Sequence, residues 1–400
     1  MSIVLLLLLS GCPWELRVFD VEPDAIVAGE SVTLDIVGTG FDDSTTFRIH
    51  APGIEVTLGD VVIQSETSAQ TRVPASVPPG TYALHAFSGI NEASLEDALT
   101  VYSQAATVIF LDVGQGDATI VIAPEGETLL IDGGKTNRGD SVNRALDEYA
   151  GGRLDAVVLS HYDADHLGGL VHVLSGTDGR PGTTDDRTPL IAYAPTDDGS
   201  CTTDICAEFR QLNRVDFAVP SVGDVFQLGA LDVEIVAVDG RVGGASAPSG
   251  LDDNARSLAV QIIFGGRRVL VLGDLTGGGK GTVDLETPLS EQTGPVDVVR
   301  VAHHGSATSS PQSAIANWQA QVAVFSMGTD NAYCHPSEDV LQRWSAATPS
   351  LWATGAGIVE TSTQCEEQTS TLGSSQFGVG DIVLDISVDG AMTMNGEGLP

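Results

Sequence analysis

Ser160-His161-Tyr162-Asp163-Ala164-Asp165-His166-Leu167-Gly168-Gly169 follows directly on Leu154-Asp155-Ala156-Val157-Val158-Leu159. The upstream run is a buried-strand pattern. At its mouth, four metal-capable side chains fall within six residues. Imidazole nitrogens and carboxylate oxygens are natural ligands of Zn2+ and similar ions, and a solvated surface gives no reason to concentrate them there. Placed on a loop, His161 and Asp163 can turn to one ion while Asp165 and His166 turn to a second.

Two later segments repeat the arrangement of an apolar strand that ends in ligands. Val269-Leu270-Val271-Leu272-Gly273 leads to Asp274, and Val298-Val299-Arg300-Val301-Ala302 leads to His303 and His304. The chain has eight histidines. Of the six after residue 100, four fall in these segments, His335 stands before Pro336 in SMGTDNAYCHP, and His172 reads as a helix or surface residue. His50 and His85 lie in strand-like text without partners at ligand spacing and read as structural.

Five segments in this order resemble the metallo-β-lactamase superfamily in the variant His-x-Asp-x-Asp-His. They are FLDVGQGDATIVIAPEGETLLIDGG at 110–134, the 160–169 run, VLVLGD ending at Asp274, VVRVAHHGS at 298–306 and SMGTDNAYCHP at 326–336. Within that superfamily the set is most similar to the C-terminal domain of ComEC-type DNA-uptake channel proteins and their free-standing secreted relatives. The resemblance implies an α/β, αββα sandwich over 107–395 that holds two divalent cations, Zn2+ first. It implies His161 and Asp163 on the first ion, Asp165 and His166 on the second, and Asp274 bridging both. One of His303 and His304 then ligates the second ion, and the other faces the substrate or a supporting partner.

Asp132 is expected to orient a ligand histidine, or else to serve as a turn residue before Gly133-Gly134. Asp165, His304, His335 and Asn254 are expected at the reacting centre. Asn254 equally suits a turn, and His335 a structural role; in the site it would be a proton donor or a phosphate contact. No histidine lies between 173 and 302. The first ion is therefore left with His161, Asp163 and Asp274, an oxygen-rich shell that also tolerates Mn2+.

The expected reaction is two-metal hydrolysis through a bridging hydroxide, on a phosphodiester in the first instance. An ester or lactone hydrolase of the same fold is the first rival, and a surface-binding lipoprotein with structural metals the second. Composition narrows the substrate. With 54 acidic against 18 basic residues, the formal charge is −36. Such a field repels polyanions at long range. Arg256, Arg267, Arg268 and Arg300 are the one basic cluster near the motifs, either a local patch or strand-end caps. A small phosphodiester or a nucleotide fits this balance better than polymeric nucleic acid.

Residues 1–11 are apolar but far short of the about 20 residues a membrane span needs. They read as a signal peptide. Leu9-Ser10-Gly11-Cys12 resembles a lipobox, which implies lipidation of Cys12 and anchoring at a membrane surface. Pro13 after the cysteine implies the outer membrane, and without a lipid the chain would be secreted. No Lys or Arg precedes the apolar run, a departure from the usual signal.

Residues 12–103 read as a β-sandwich. Ser31-Val32-Thr33-Leu34-Asp35-Ile36-Val37 alternates, and Gly and Pro punctuate the text at short intervals. VEPDAIVAGESVTLDIVGTGF with VPPGTYALHAF resembles IPT/TIG domains of the immunoglobulin-like class. A hinge at 104–106 leads to the larger domain. There, strands are expected at 107–113, 118–123, 127–131, 154–159, 258–264, 267–272, 296–301, 322–327 and 382–394, and helices at 141–149 and 339–346. The loop 176–189 carries Asp178, Asp185 and Asp186 among glycines and reads as a Ca2+ site or a solvated loop. Cys201 and Cys206 can close a small ring, and Cys334 with Cys365 is the natural second pair, with other connectivities and free thiols left open.

Overall fold

The computed structural model describes residues 15–329, 331–355 and 376–399. The signal segment, Cys12 and Cys365 lie outside the described residues. The chain divides into two compact units, Met1–Gln104 and Ala105–Pro400.

The first unit is all strand among its described residues. One sheet has the order Arg17–Glu22, Val32–Thr39, Ser68–Val73, Gly59–Ser65. The other has the order Ala25–Val27, Asn91–Tyr102, Gly80–Ser88, Thr46–Ala51, Ile54–Thr57. The period-2 alternation makes two layers share one core: Leu34 and Ile36 of the first sheet and Phe47, Ile49, Leu84 and Leu99 of the second are fully buried in one cluster. His85 pairs with Glu92 at 3.0 Å on the surface.

The second unit is two sheets with helices outside both. Strands Ala105–Phe110, Thr119–Ile122 and Thr128–Ile131 form an antiparallel meander, and Ala156–Val158 and Ile191–Tyr193 extend it in parallel. The second sheet begins with antiparallel Leu231–Val238, Ala259–Phe264 and Arg267–Val271. It continues in parallel through Val298–Arg300, Val322–Phe325 and Ser350–Ala353. Both faces of each sheet are covered, so the strands are largely apolar and adjacent residues part company. Val108, Phe110, Val269, Val271, Val298, Val322 and Val324 meet between the sheets. Their neighbours Leu270, Val299, Ala323 and Phe325 face the helices carrying Leu289, Trp318 and Trp344. Ile109, Leu130 and Val157 face the helices carrying Leu146 and Leu170.

Three expectations need correction. The segment 382–394 is a hairpin, Ile382–Ser387 paired with Met392–Met394, because Asp389-Gly390 makes a turn with Gly390 at φ 82°. The ligand run is only half loop: Ala164–Leu174 is a helix with Asp163 at its N-cap position and Asp165 in its first turn. The strands Val225–Leu228 and Leu231–Val238 were not foreseen. Among the described residues, no helix is long and apolar enough to cross a membrane.

One buried acid stands apart from the candidate site. Glu286 accepts the Ser310 N–H at 2.8 Å through Oε1, while its Oε2 has no partner. Burial pushes its carboxyl up to about 8. The folded chain therefore holds a proton that the unfolded chain releases near pH 4.5, so stability falls as pH rises from about 4.5 to about 8 and is level above that. Glu286→Gln, which keeps the acceptor and removes the charge, should leave thermal stability below about pH 4.5 unchanged. By pH 8 the variant should be more stable than the parent by an amount on the order of a few kcal/mol. Melting curves that shift equally at both pH values would contradict this.

Candidate metal centre

Ends of parallel strands from both sheets supply the site. Asp132 follows Thr128–Ile131, His161 follows Ala156–Val158, Asp274 follows Arg267–Val271, and His303 and His304 follow Val298–Arg300. Asp132, His303 and His304 all adopt positive φ, 58°, 51° and 52°. Such backbone costs on the order of 1–3 kcal/mol per residue and collects at functional sites.

Hydrogen bonds fix how each ring presents itself. Asp132 accepts the Ser160 N–H and Oγ–H at 2.7 and 2.6 Å and the His166 Nδ1–H at 2.8 Å. The Ser160 hydroxyl proton is thereby spent, so its oxygen accepts from His161 Nδ1 at 3.0 Å. His304 Nδ1–H donates to the Ser326 carbonyl at 2.8 Å. His303 Nδ1–H donates to Thr308 Oγ1 at 2.9 Å, which itself donates to Ser306 Oγ. Each partner places the ring proton on Nδ1 and leaves Nε2 a bare lone pair.

All four Nε2 atoms face one carboxylate. Asp274 Oδ1 lies 3.3 Å from His166 Nε2, and its Oδ2 lies 3.9, 3.6 and 3.7 Å from the Nε2 atoms of His161, His303 and His304. His161 Nε2, His166 Nε2, His304 Nε2 and Asp274 Oδ1 are buried without hydrogen-bond partners. Buried polar groups of this kind need an explanation. Two ligands about 2.0–2.2 Å from one tetrahedral ion lie about 3.3–3.6 Å apart, which is near the spacing of this cluster. The donor set therefore fits divalent cations.

Two three-ligand groups form within it, His161–His166–Asp274 and Asp165–His166–His304. His166 thus stands between two positions, where the sequence assigned it to one. Asp163 Oδ2 lies 3.5 Å from His161 Nε2 with its side chain half exposed. Asp165 Oδ2 lies 3.7 Å from His304 Nε2. A third group, Asp117–Asp132–His166, is already engaged: Asp132 by Ser160 and His166, Asp117 by Arg300.

Charges balance tightly here. Burial alone would push the Asp274 carboxyl up, but His166, His304 and His303 hold it well below the ordinary carboxylate range. Burial opposes a charge on His166, yet Asp274 and Asp132 together lift its pKa well above the usual value. Burial, with help from Arg300, drives His304 well below it.

His335 reaches the same place. Its ring centroid lies 5.6 Å from that of His303 and 6.3 Å from that of His304. Asn331 clamps its backbone by accepting the His335 N–H at 2.8 Å and donating to its carbonyl at 2.7 Å. Burial, and then His303, lower its pKa to about 4, so the ring is neutral at pH 7. Asn254 lies in a 3-10 turn, Asn254–Arg256, and no described hydrogen bond ties its side chain to the centre. Its neighbour Asp253 touches the ligand loop instead, accepting the Tyr162 N–H at 3.0 Å.

Ser160, Thr308, Asn331 and Asp253 escaped the sequence reading. So did the ion pair of Asp117 with Arg300, both essentially without solvent exposure. Of the two readings of the basic cluster, a patch or strand-end caps, individual pairing is what the described residues show. Arg300 is buried, Arg256 pairs with Asp198 at 2.7 Å and Arg267 with Asp297 at 2.8 Å, and Arg268 donates to the Thr293 carbonyl. Each of the four is thus engaged by an oxygen of its own. In the 176–189 loop, Asp185 accepts from Thr177, Asp178 and Thr183, and Asp186 from Gly182 and Thr183. These carboxylates are spent on the loop itself, and no three-ligand group is found there among the described residues. Cys201 and Cys206 form a disulfide. Cys334 is also disulfide-bonded, and the expected pairing with Cys365 lies outside the described residues.

Ser160→Ala removes the acceptor that holds His161 Nδ1 and one of the donors that hold Asp132. Loss of such support weakens divalent-ion affinity by about 10–100-fold. Calorimetric titration of the metal-stripped chain should show it, and an unchanged affinity would exclude this role for Ser160.

Fold and donor set together define a candidate metal centre on an αββα scaffold. Residues 111–328 match the model of the Metallo-beta-lactamase superfamily, and the chain belongs to that superfamily. It is 27% identical over 263 residues to ComE operon protein 3 of Bacillus subtilis (strain 168), covering 60% of this chain and 30% of that protein. It is 29% identical over 241 residues to competence protein ComA of Neisseria gonorrhoeae, covering 60% of this chain and 29% of that one. The chain thus spans about a third or less of the length of these curated relatives. Among solved structures, the metallo-beta-lactamase fold protein YhfI from Bacillus subtilis aligns at 13% identity with a TM-score of 0.39, over 64% of this chain and 97% of that one.

Proposed function

We propose that the chain is an exported phosphodiesterase acting on a small phosphodiester or nucleotide, with two divalent cations held by His161, Asp163, Asp165, His166, Asp274, His303 and His304. The observation that carries this is the convergence of four Nε2 lone pairs, three of them buried without partners, on the Asp274 carboxylate. Bound there, the cations supply Lewis acidity and a water of lowered pKa. The chain's residues do the rest. Asp132, Ser160, Ser326 and Thr308 hold the ring tautomers, and His335, neutral at pH 7, offers an N–H to the leaving oxygen. The resemblance to ComEC-type proteins is what points to phosphodiester chemistry. The arginine pairing described above favours a small substrate over a polymer. On the same reading, the first unit is an immunoglobulin-like IPT/TIG spacer that holds the hydrolase off a membrane surface through a lipid on Cys12.

The full chain, loaded with Zn2+ or Mn2+, should hydrolyse bis(p-nitrophenyl) phosphate, and the chelated chain should not. Two bound ions without turnover would overturn the phosphodiesterase reading and move weight to ester chemistry.

A further inference from the structure

The chain carries 18 Lys and Arg against 54 Asp and Glu, so an unpaired cation is the exception. Nine arginines pair with carboxylates. Five more are held by backbone or side-chain oxygens. Four cations have no described partner: Lys135, Arg138, Arg180 and Lys280. Arg180 belongs to the self-closed 176–189 loop. The other three sit on loops packed against the candidate centre.

Lys135 and Arg138 follow Asp132 in the segment lying along the helix Ala164–Leu174. A Cβ on Gly168 of that helix would meet Thr136 N at 2.5 Å and the carbonyl carbon of Lys135 at 3.1 Å. The exposed Arg138 guanidinium lies over the loop at 114–116: a Cβ on Gly114 would stand 2.9 Å from its Nη2. Two residues on, a Cβ on Gly116 would meet the Asp165 carbonyl at 2.5 Å. Gly114 and Gln115 also abut Gly328, at the start of the segment that carries Asn331 and His335. Lys280 lies on a separate loop, in the turn Gly279–Gly281. Gly279 packs on Ala307 and Thr308, and Thr308 holds His303. Lys280 itself keeps a left-handed backbone, φ 54°, a conformation non-glycine residues rarely adopt.

We infer that Lys135, Arg138 and Lys280 form a cationic collar that docks a second anionic group of the substrate, remote from the scissile ester. The substrate class is then a phosphodiester bearing a further phosphate, of nucleotide type, rather than a singly charged diester. None of the three has a described carboxylate partner, and their loops pack against the segments that carry Asp165, His303 and His335, so a phosphate there gains charge-assisted contacts that the rest of the surface denies it. The inference rests on the hydrolase reading, and its test is separable from it.

The test is calorimetric binding to the full, metal-loaded chain of thymidine 5′-phosphate and thymidine 3′,5′-bisphosphate. The parent should bind the bisphosphate at least about tenfold more tightly, a preference worth one decade at 1.4 kcal/mol. The triple variant Lys135→Ala/Arg138→Ala/Lys280→Ala should lose the preference, and Arg138→Lys alone should retain it. Equal affinity of the parent for both ligands, or an undiminished preference in the triple variant, would overturn the collar. A preference that behaves as expected in a chain that never hydrolyses bis(p-nitrophenyl) phosphate would count against the hydrolase reading alone.

Discussion

Asp274→Asn should lower turnover of bis(p-nitrophenyl) phosphate by at least about 10³-fold, since several kcal/mol of transition-state stabilisation is at stake at about 1.4 kcal/mol per decade. The carboxylate faces four imidazole nitrogens at 3.3 to 3.9 Å, so its charge holds both ligand groups together. An amide there is neutral, and its NH2 points a donor where only lone pairs are wanted. Divalent-ion affinity should fall with turnover. If the variant kept its ions and lost activity by less than tenfold, Asp274 would be a bystander and the bridging assignment would fail.

Arg300→Met should destabilise the second unit by about 3–5 kcal/mol, because it strands the Asp117 carboxylate in the interior. Burial already pushes that carboxyl up, with Arg300 beside it opposing the shift. Arg300 also donates to the Gly273 carbonyl at 2.7 Å, directly before Asp274, so ion affinity should weaken alongside stability. At about 2–4 °C per kcal/mol for a domain of this size, the midpoint should drop by about 10 °C. The double variant Arg300→Met/Asp117→Asn removes both charges and should regain much of the loss. A double variant no more stable than the single one would mean that the arginine acts through packing and not through the pair.

Much of this was legible in the sequence, for reasons of period and clustering. Both-faces-buried strands are apolar runs, and the ligands announced themselves by standing where such runs end. What stayed hidden depends on contacts between distant residues. Arg300 in Val298-Val299-Arg300-Val301 reads alike as a cap, a patch or a buried ion, and its partner Asp117 lies on the opening hairpin of the other sheet. Gly168-Gly169 looked like loop text, because glycine weakens helices. The structure shows what it serves instead. A Cβ on Gly169 would stand 1.8 Å from the Gly133 carbonyl, and one on Gly168 2.5 Å from Thr136 N, so the ligand helix packs against the Asp132 loop only with glycine there. His303 comes late in the chain, yet its Nε2 faces the same Asp274 Oδ2 atom as His161 and His304.

The most direct test of the account is the number of divalent ions bound by the full, metal-stripped chain on titration with Mn2+ or Zn2+, read by calorimetry and checked by elemental analysis. The account predicts two ions per chain, with at least one lost in Asp274→Asn. A chain that binds no ion at this cluster, or binds the same number in the variant, would contradict it.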